Sequence, residues 1–142
     1  MLNQDTIISL ATVAGESALG IIRISGSSCN ELCLNIFNCN SPTPRTALVK
    51  NYISVDGEIV DQIVFIFYEN GKSYTGEELI EISFHGNQII ANSIINDLLK
   101  RNCRLAEPGE YTKRAFLNGK IDLIQSEAIA SLIESKTTKN TI

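Results

Sequence analysis

Two strand-like runs joined by Asp56-Gly57 limit the possible folds of this chain more than any other feature. Residues 46–55 and 58–68 both read as strands, and the Asp-Gly pair between them supplies the positive φ that a tight hairpin turn needs. Within the second run, Ile63-Val64-Phe65-Ile66-Phe67 is apolar at successive positions. Successive residues point to opposite faces of a strand, so this pattern predicts a central strand covered on two sides. The starting point is therefore an antiparallel sheet.

Other segments extend that sheet and cover it. Asp5 to Thr12 and Leu19 to Ser25 read as two more strands, separated by a loop containing Gly15. Gly26-Ser27-Ser28 opens a helix to about Asn38, with Leu32, Ile36 and Phe37 on its apolar side. Ser41-Pro42-Thr43-Pro44 is a linker, Asn70-Gly71 turns the chain, and Glu78 to Phe84 is a further strand. Gly86 to Arg101 predicts a helix carrying Ile90, Ile94, Ile95, Leu98 and Leu99. The fold class that follows is α+β, with a largely antiparallel sheet flanked by helices.

From Ala106 to Ala130 the pattern turns helical. Pro108-Gly109 makes a turn, and Glu110 puts an acid in the first turn of a helix through Leu117, where it complements the helix dipole. Asn118-Gly119 supplies left-handed backbone at that helix's end. Asp122, with Gln125 three residues on, starts a second helix bearing Ile124, Ala128, Ile129 and Leu132. No stop signal for it precedes Ile142, as expected of a truncated chain. Lys120 sits on the corner between the two helices.

Composition narrows the functional classes. A chain of 142 residues with 44% hydrophobic content builds one core, with room for an appendage. It contains neither a signal peptide nor an apolar run of about 18 residues, which predicts a cytoplasmic protein with no membrane span. In that setting Cys29, Cys33, Cys39 and Cys103 are expected to be reduced, structural thiols. The net charge of −4 argues against RNA being gripped chiefly through its phosphates. It leaves room for a local basic patch from Lys113, Arg114 and Lys120.

Two charged residues stand in apolar strands. Arg23 alternates with Leu19, Ile21 and Ser25, and Glu81 with Leu79 and Ser83. A guanidinium in such company is costly unless it meets an acid, so Arg23 is either half of an ion pair with Glu81 or an anchor for an anionic ligand. A strand carboxylate backed by an apolar face also suits a flat heterocycle with adjacent N–H donors. His85 has no second histidine for a metal site and reads as a packed or hydrogen-bonded residue. Gly71-Lys72-Ser73 imitates the end of a phosphate-binding loop. The glycine needed five residues earlier is Ile66, so the segment reads as a hairpin turn.

Three stretches carry a family resemblance: EPGEYTKRAFLNGKIDLIQSEA at 107–128, GIIRISG at 20–26 and SYTGEELIEISFHG at 73–86. They resemble the tRNA modification GTPase MnmE, also called TrmE, over its N-terminal region. The chain departs from that family's pattern at Glu16-Ser17, at Tyr111 where Phe is usual and at Asn87 where a second glycine is usual. The resemblance implies a folate-binding and dimerising domain over residues 1–118, like the folate domain of the glycine-cleavage aminomethyltransferase. Residues 119–142 would begin a helical domain.

It also implies a site in which Arg23, Glu81 and Lys120 hold a reduced folate such as 5-formyltetrahydrofolate. Glu81 would meet the pterin edge, and Arg23 and Lys120 the polar or carboxylate groups. No catalytic residue and no metal are implied in this part. GTP, Mg2+ and K+ would belong to a later domain of the parent enzyme. The parent would act as a homodimer with the flavoprotein MnmG on the wobble uridine of tRNA, adding an aminomethyl-type group at carbon 5. The alternatives are a dimerisation scaffold without ligand, with Arg23 and Glu81 paired internally and Lys120 solvated, and a stand-alone folate aminomethyltransferase relative.

Overall fold

A computed structural model describes residues 5–12, 19–122, 124 and 128. Its elements are β1 (Ile7–Thr12), β2 (Leu19–Ser25), α1 (Cys29–Phe37), β3 (Leu48–Ile53) and β4 (Ile59–Tyr68), then β5 (Leu79–His85), α2 (Gln88–Lys100), β6 (Arg104–Leu105) and α3 (Glu110–Leu117). The strands form one sheet in the order β3-β4-β5-β2-β1-β6. The β1–β6 pair is parallel and the other four pairings are antiparallel. The α+β class and antiparallel sheet follow the sequence pattern. β6 does not, because two residues are too few to show a period.

Register explains why one face is a continuous apolar sheet. Ile22 lies opposite Ile82, which lies opposite Phe65; one step along, Ile24, Ile80 and Phe67 form the next row. All six are buried, and α1 and α2 pack on them through Leu32, Ile36, Phe37, Ala91, Ile94 and Leu98. Each fully buried aliphatic or aromatic side chain of this kind contributes roughly 1.5–3 kcal/mol. Phe37 stacks on Phe65 with ring centroids 4.3 Å apart and meets Tyr52 edge-on at 5.9 Å.

The same layer encloses a satisfied carboxylate. Asp97 of α2 accepts from the Tyr52 hydroxyl at 2.6 Å, the Val55 backbone at 2.8 Å and Arg101 Nε at 2.8 Å. Burial, reinforced by the Asp97 charge, pushes the Tyr52 hydroxyl well above its usual range. Two of these three donors, Tyr52 and Val55, lie outside α2 and pin it to β3 and to the start of the turn at Asp56-Gly57. At the other end of α2, the Asn87 side chain accepts from the Ile89 and Ile90 backbone at 2.7 and 3.3 Å. The asparagine that replaces the family's glycine is thus the helix N-cap.

The second face is different. Ile63, Phe65 and Phe67 are buried, whereas Val64, Ile66 and Tyr68 are only half-buried. β4 is interior to the sheet as expected, yet it is not sealed equally on both sides, because α1 and α2 lie on the same face. Among the described residues, the second face is covered at one end, by the 69–78 loop and α3. That partial cover makes a cavity.

A polar cavity on the half-covered face of the sheet

Arg23 and Glu81 are register partners on β2 and β5, and both point to the second face. Arg23 Nε donates to Glu81 Oε2 at 3.0 Å, with the two side chains 44% and 23% exposed. A pair this exposed adds at most about 1 kcal/mol to stability. Among the described residues, Glu81 Oε1 and the Arg23 Nη atoms make no further hydrogen bond. The pair therefore keeps acceptor and donor capacity beyond its mutual contact.

Both side chains line a cavity of about 1000 Å³. Ser9 and Leu79 share the sheet wall with them; Lys72, Ser73 and Tyr74 come from the 69–78 loop; Glu107 to Thr112 come from the entry to α3. Tyr68, Tyr74 and Tyr111 supply aromatic surface. Tyr111 stands where the resembled family has Phe, and its added hydroxyl donates to the Arg23 backbone carbonyl at 2.7 Å. That contact ties α3 to the strand carrying Arg23. Burial drives the Tyr111 hydroxyl far above its usual pKa, so it remains a donor.

An ion network anchors α3 under this cavity. Arg114, 5% exposed, donates to Asp5 at 2.7 Å, Glu77 at 3.0 Å and Glu110 at 3.2 Å. Arg104 pairs with Asp5 and donates to Glu110 Oε1 at 2.9 Å. Hydrogen bonds from Arg104 hold Asp5 and Glu110 below the ordinary carboxylate range. Burial acts against the charge on Arg114, but its bonds to Glu77 and Asp5 outweigh it. The local basic patch that the net charge left room for does not include Arg114, which is buried among carboxylates, while Lys113 and Lys120 are exposed.

Lys120 occupies the corner after α3. Gly119 has φ +74°, and the amides of Gly119 and Lys120 donate back to the carbonyls of Phe116 and Ala115 at 3.0 and 2.8 Å. This double closure is a Schellman stop. Asn118 itself, at φ −94°, is not left-handed, so Gly119 alone provides that conformation. Lys120 Nζ donates to the Gly71 carbonyl at 2.9 Å, on the loop that forms one cavity wall. Arg23 and Glu81 thus come together on the cavity wall, and Lys120 stands behind the loop instead of among the lining residues.

Several lining residues carried no clear signal in sequence. Lys72, Ser73 and Tyr74 belong to a segment read as a turn. It is in fact a ten-residue connection from Glu69 to Glu78, closed by the Gly71 amide on the Gly76 carbonyl at 2.8 Å. His85 is 70% exposed, with Nδ1 2.9 Å from Asp61 Oδ1. Cys29, Cys33 and Cys103 are buried free thiols, and burial pushes Cys33 up to about 12. The described residues hold no cluster of metal-ligating side chains. None of their helices is long and apolar enough to cross a membrane. The second helix expected from Asp122 falls outside the described residues apart from positions 122, 124 and 128.

The class so defined is an α+β module with a polar cavity on the half-covered face of its sheet. Residues 6–120 match the family model described as the GTP-binding protein TrmE N-terminus, and the chain belongs to that family. The tRNA modification GTPase MnmE of Fervidobacterium nodosum is 44% identical over 98% of this chain and 31% of its own length. That of Opitutus terrae is 45% identical over 96% of the chain and 30% of its length, and that of Thermotoga maritima 41% over 94% and 30%. The chain therefore spans about three-tenths of the relatives it matches.

Proposed function

We propose that this chain is the reduced-folate-binding and homodimerising domain of a tRNA modification GTPase, with 5-formyltetrahydrofolate or a close relative held in the cavity. The observation that carries the reading is the Arg23–Glu81 pair on the wall of a roughly 1000 Å³ cavity, with Glu81 Oε1 and the Arg23 Nη atoms unengaged by described residues. Glu81 would accept the paired N–H donors of a pterin edge, Arg23 would meet polar or carboxylate groups, and the tyrosines would flank the ring. Lys120 would join them by leaving the Gly71 carbonyl for the ligand's anionic end. The bound folate would supply a one-carbon unit; this chain's residues bind and orient it.

The rest of the reading follows from family membership. Residues 1–118 would form the folate domain, and 119–142 would begin a helical domain, a boundary supported by the helix stop at Gly119. GTP hydrolysis, with Mg2+ and K+, would reside beyond this segment. With MnmG the cytoplasmic parent would modify carbon 5 of the tRNA wobble uridine. Homodimerisation is supported by the open end of the sheet's second face, where Leu19 is 59% and Val49 62% exposed beside half-buried Ile21 and Val64.

A scaffold without ligand would also show Arg23 paired with Glu81. The cavity beside the pair favours a ligand. Thermal melting decides between them: a saturating excess of 5-formyltetrahydrofolate should raise the midpoint by roughly 5–10 °C. An unchanged midpoint would leave the scaffold.

A further inference from the structure

From the packing of the loop over Glu69–Glu78 against the end of α3, we infer that Asn118 and Gly76 form a latch that positions one wall of the cavity. This deepens the folate reading and rests on it. Asn118 is a positioning residue here: it is absent from the cavity wall and acts through the loop.

Three observations place the latch. The Asn118 side-chain amide uses both its hydrogens, donating to the Thr75 carbonyl at 2.9 Å and the Arg114 carbonyl at 2.8 Å. It therefore bridges the loop to the last turn of α3. Gly76 lies against the same corner: a Cβ there would fall 2.7 Å from Asn118 Cβ and 3.1 Å from Lys120 Cγ, and its φ is +82°. Only a glycine lets the loop approach this closely without strain. The third contact, the Lys120 ammonium on the Gly71 carbonyl at 2.9 Å, belongs to the chain without ligand; once Lys120 turns to the folate, Asn118 and Gly76 hold this corner.

The latch reaches the ligand-facing groups through buried hydroxyls. Thr75, fully buried, shares a 2.7 Å hydrogen bond with Ser25, two residues beyond Arg23 on the same face of β2. Ser73 contacts the Thr75 hydroxyl and donates to the Glu77 carbonyl. Lys72, Ser73 and Tyr74 stand immediately before this anchor, and the Tyr74 hydroxyl is 3.1 Å from that of Thr112 on α3. Without Asn118, the described residues keep the Arg114–Glu77 ion pair at the far end of the loop, but near Lys72 and Tyr74 only the exposed Tyr74 and Lys120 side chains tie the loop to α3 and its corner. Small displacements of binding groups cost much in affinity, so the loop's position matters even though the loop is remote from Glu81.

The test pairs a binding titration with amide exchange. Asn118→Ala should weaken 5-formyltetrahydrofolate binding about tenfold while the melting midpoint of the free protein barely moves. In the same variant the amides of Gly71, Lys72 and Gly76 should exchange faster. Gly76→Ala should also weaken binding. The double change Gly76→Ala with Asn118→Gly removes the clashing Cβ and should lose less than the sum of the singles. Wild-type affinity in Asn118→Ala, or strict additivity, overturns the latch. If the wild-type chain does not bind the folate, the ligand assignment fails by itself, and exchange then judges the latch: faster exchange in Asn118→Ala sustains it, and unchanged exchange overturns it.

Discussion

The two faces of the sheet are made by the same strands and serve opposite ends. On the helix-covered face Ile22, Ile24, Ile80, Ile82, Phe65 and Phe67 meet across register with little water left, and the buried acid Asp97 has three donors. On the second face the neighbouring positions are Arg23, Ser25, Glu81 and Ser83, and among the described residues cover lies at one end. The first face stabilises. The second retains hydrogen-bonding capacity that folding does not consume, as a binding surface requires. Stability and recognition are divided by the alternation of a β-strand.

That division can be broken from either side. The largest expected effect is on the covered face: Phe65→Ala, which deletes the ring stacked on Phe37, should cost about 3–5 kcal/mol in a denaturant titration. An effect below ~1 kcal/mol would mean that this face is not the close-packed one.

A smaller effect should come from acid. Asp5 and Glu110 are held below their ordinary values by Arg104, so the folded state binds fewer protons there than the unfolded chain. Their contribution is complete above the unfolded carboxylate range and is lost as pH falls through the depressed folded values. Melting midpoints should drop below about pH 5, and Asp5→Asn should flatten that slope. A slope unchanged by Asp5→Asn would remove this pair from the account.

Least of all should stability respond at the ligand-facing pair. Arg23→Ala should shift unfolding by no more than about 1 kcal/mol, because its ion pair is exposed. A loss several times larger would make Arg23 a structural residue and erase the contrast between the faces.

Most of this division was legible in the residues themselves. The alternation around Arg23 and Glu81 put both side chains on the face opposite Ile22, Ile24, Ile80 and Ile82, and the apolar run in β4 placed that strand inside the sheet. What escaped depended on contacts between distant segments. Arg114 looks like a surface residue of an amphipathic helix until Asp5 and Glu77, brought from 109 and 37 residues away, enclose it. Tyr74 and Lys72 sit in a loop without periodicity, and their place on the cavity wall follows from Gly76 packing against Asn118. Lys120 was marked by family resemblance alone. Its bond to Gly71 could not be read from a lysine at a helix corner.

The most direct test of the central claim is a calorimetric titration of 5-formyltetrahydrofolate into the wild-type chain and Glu81→Gln. The substitution keeps the shape of the side chain and removes the charge that the pterin edge would meet. Affinity should fall at least tenfold, consistent with losing a charge-assisted hydrogen bond, while the melting midpoint of the free protein stays within a few degrees. Equal affinity in the two proteins would contradict the assignment of the cavity to the folate.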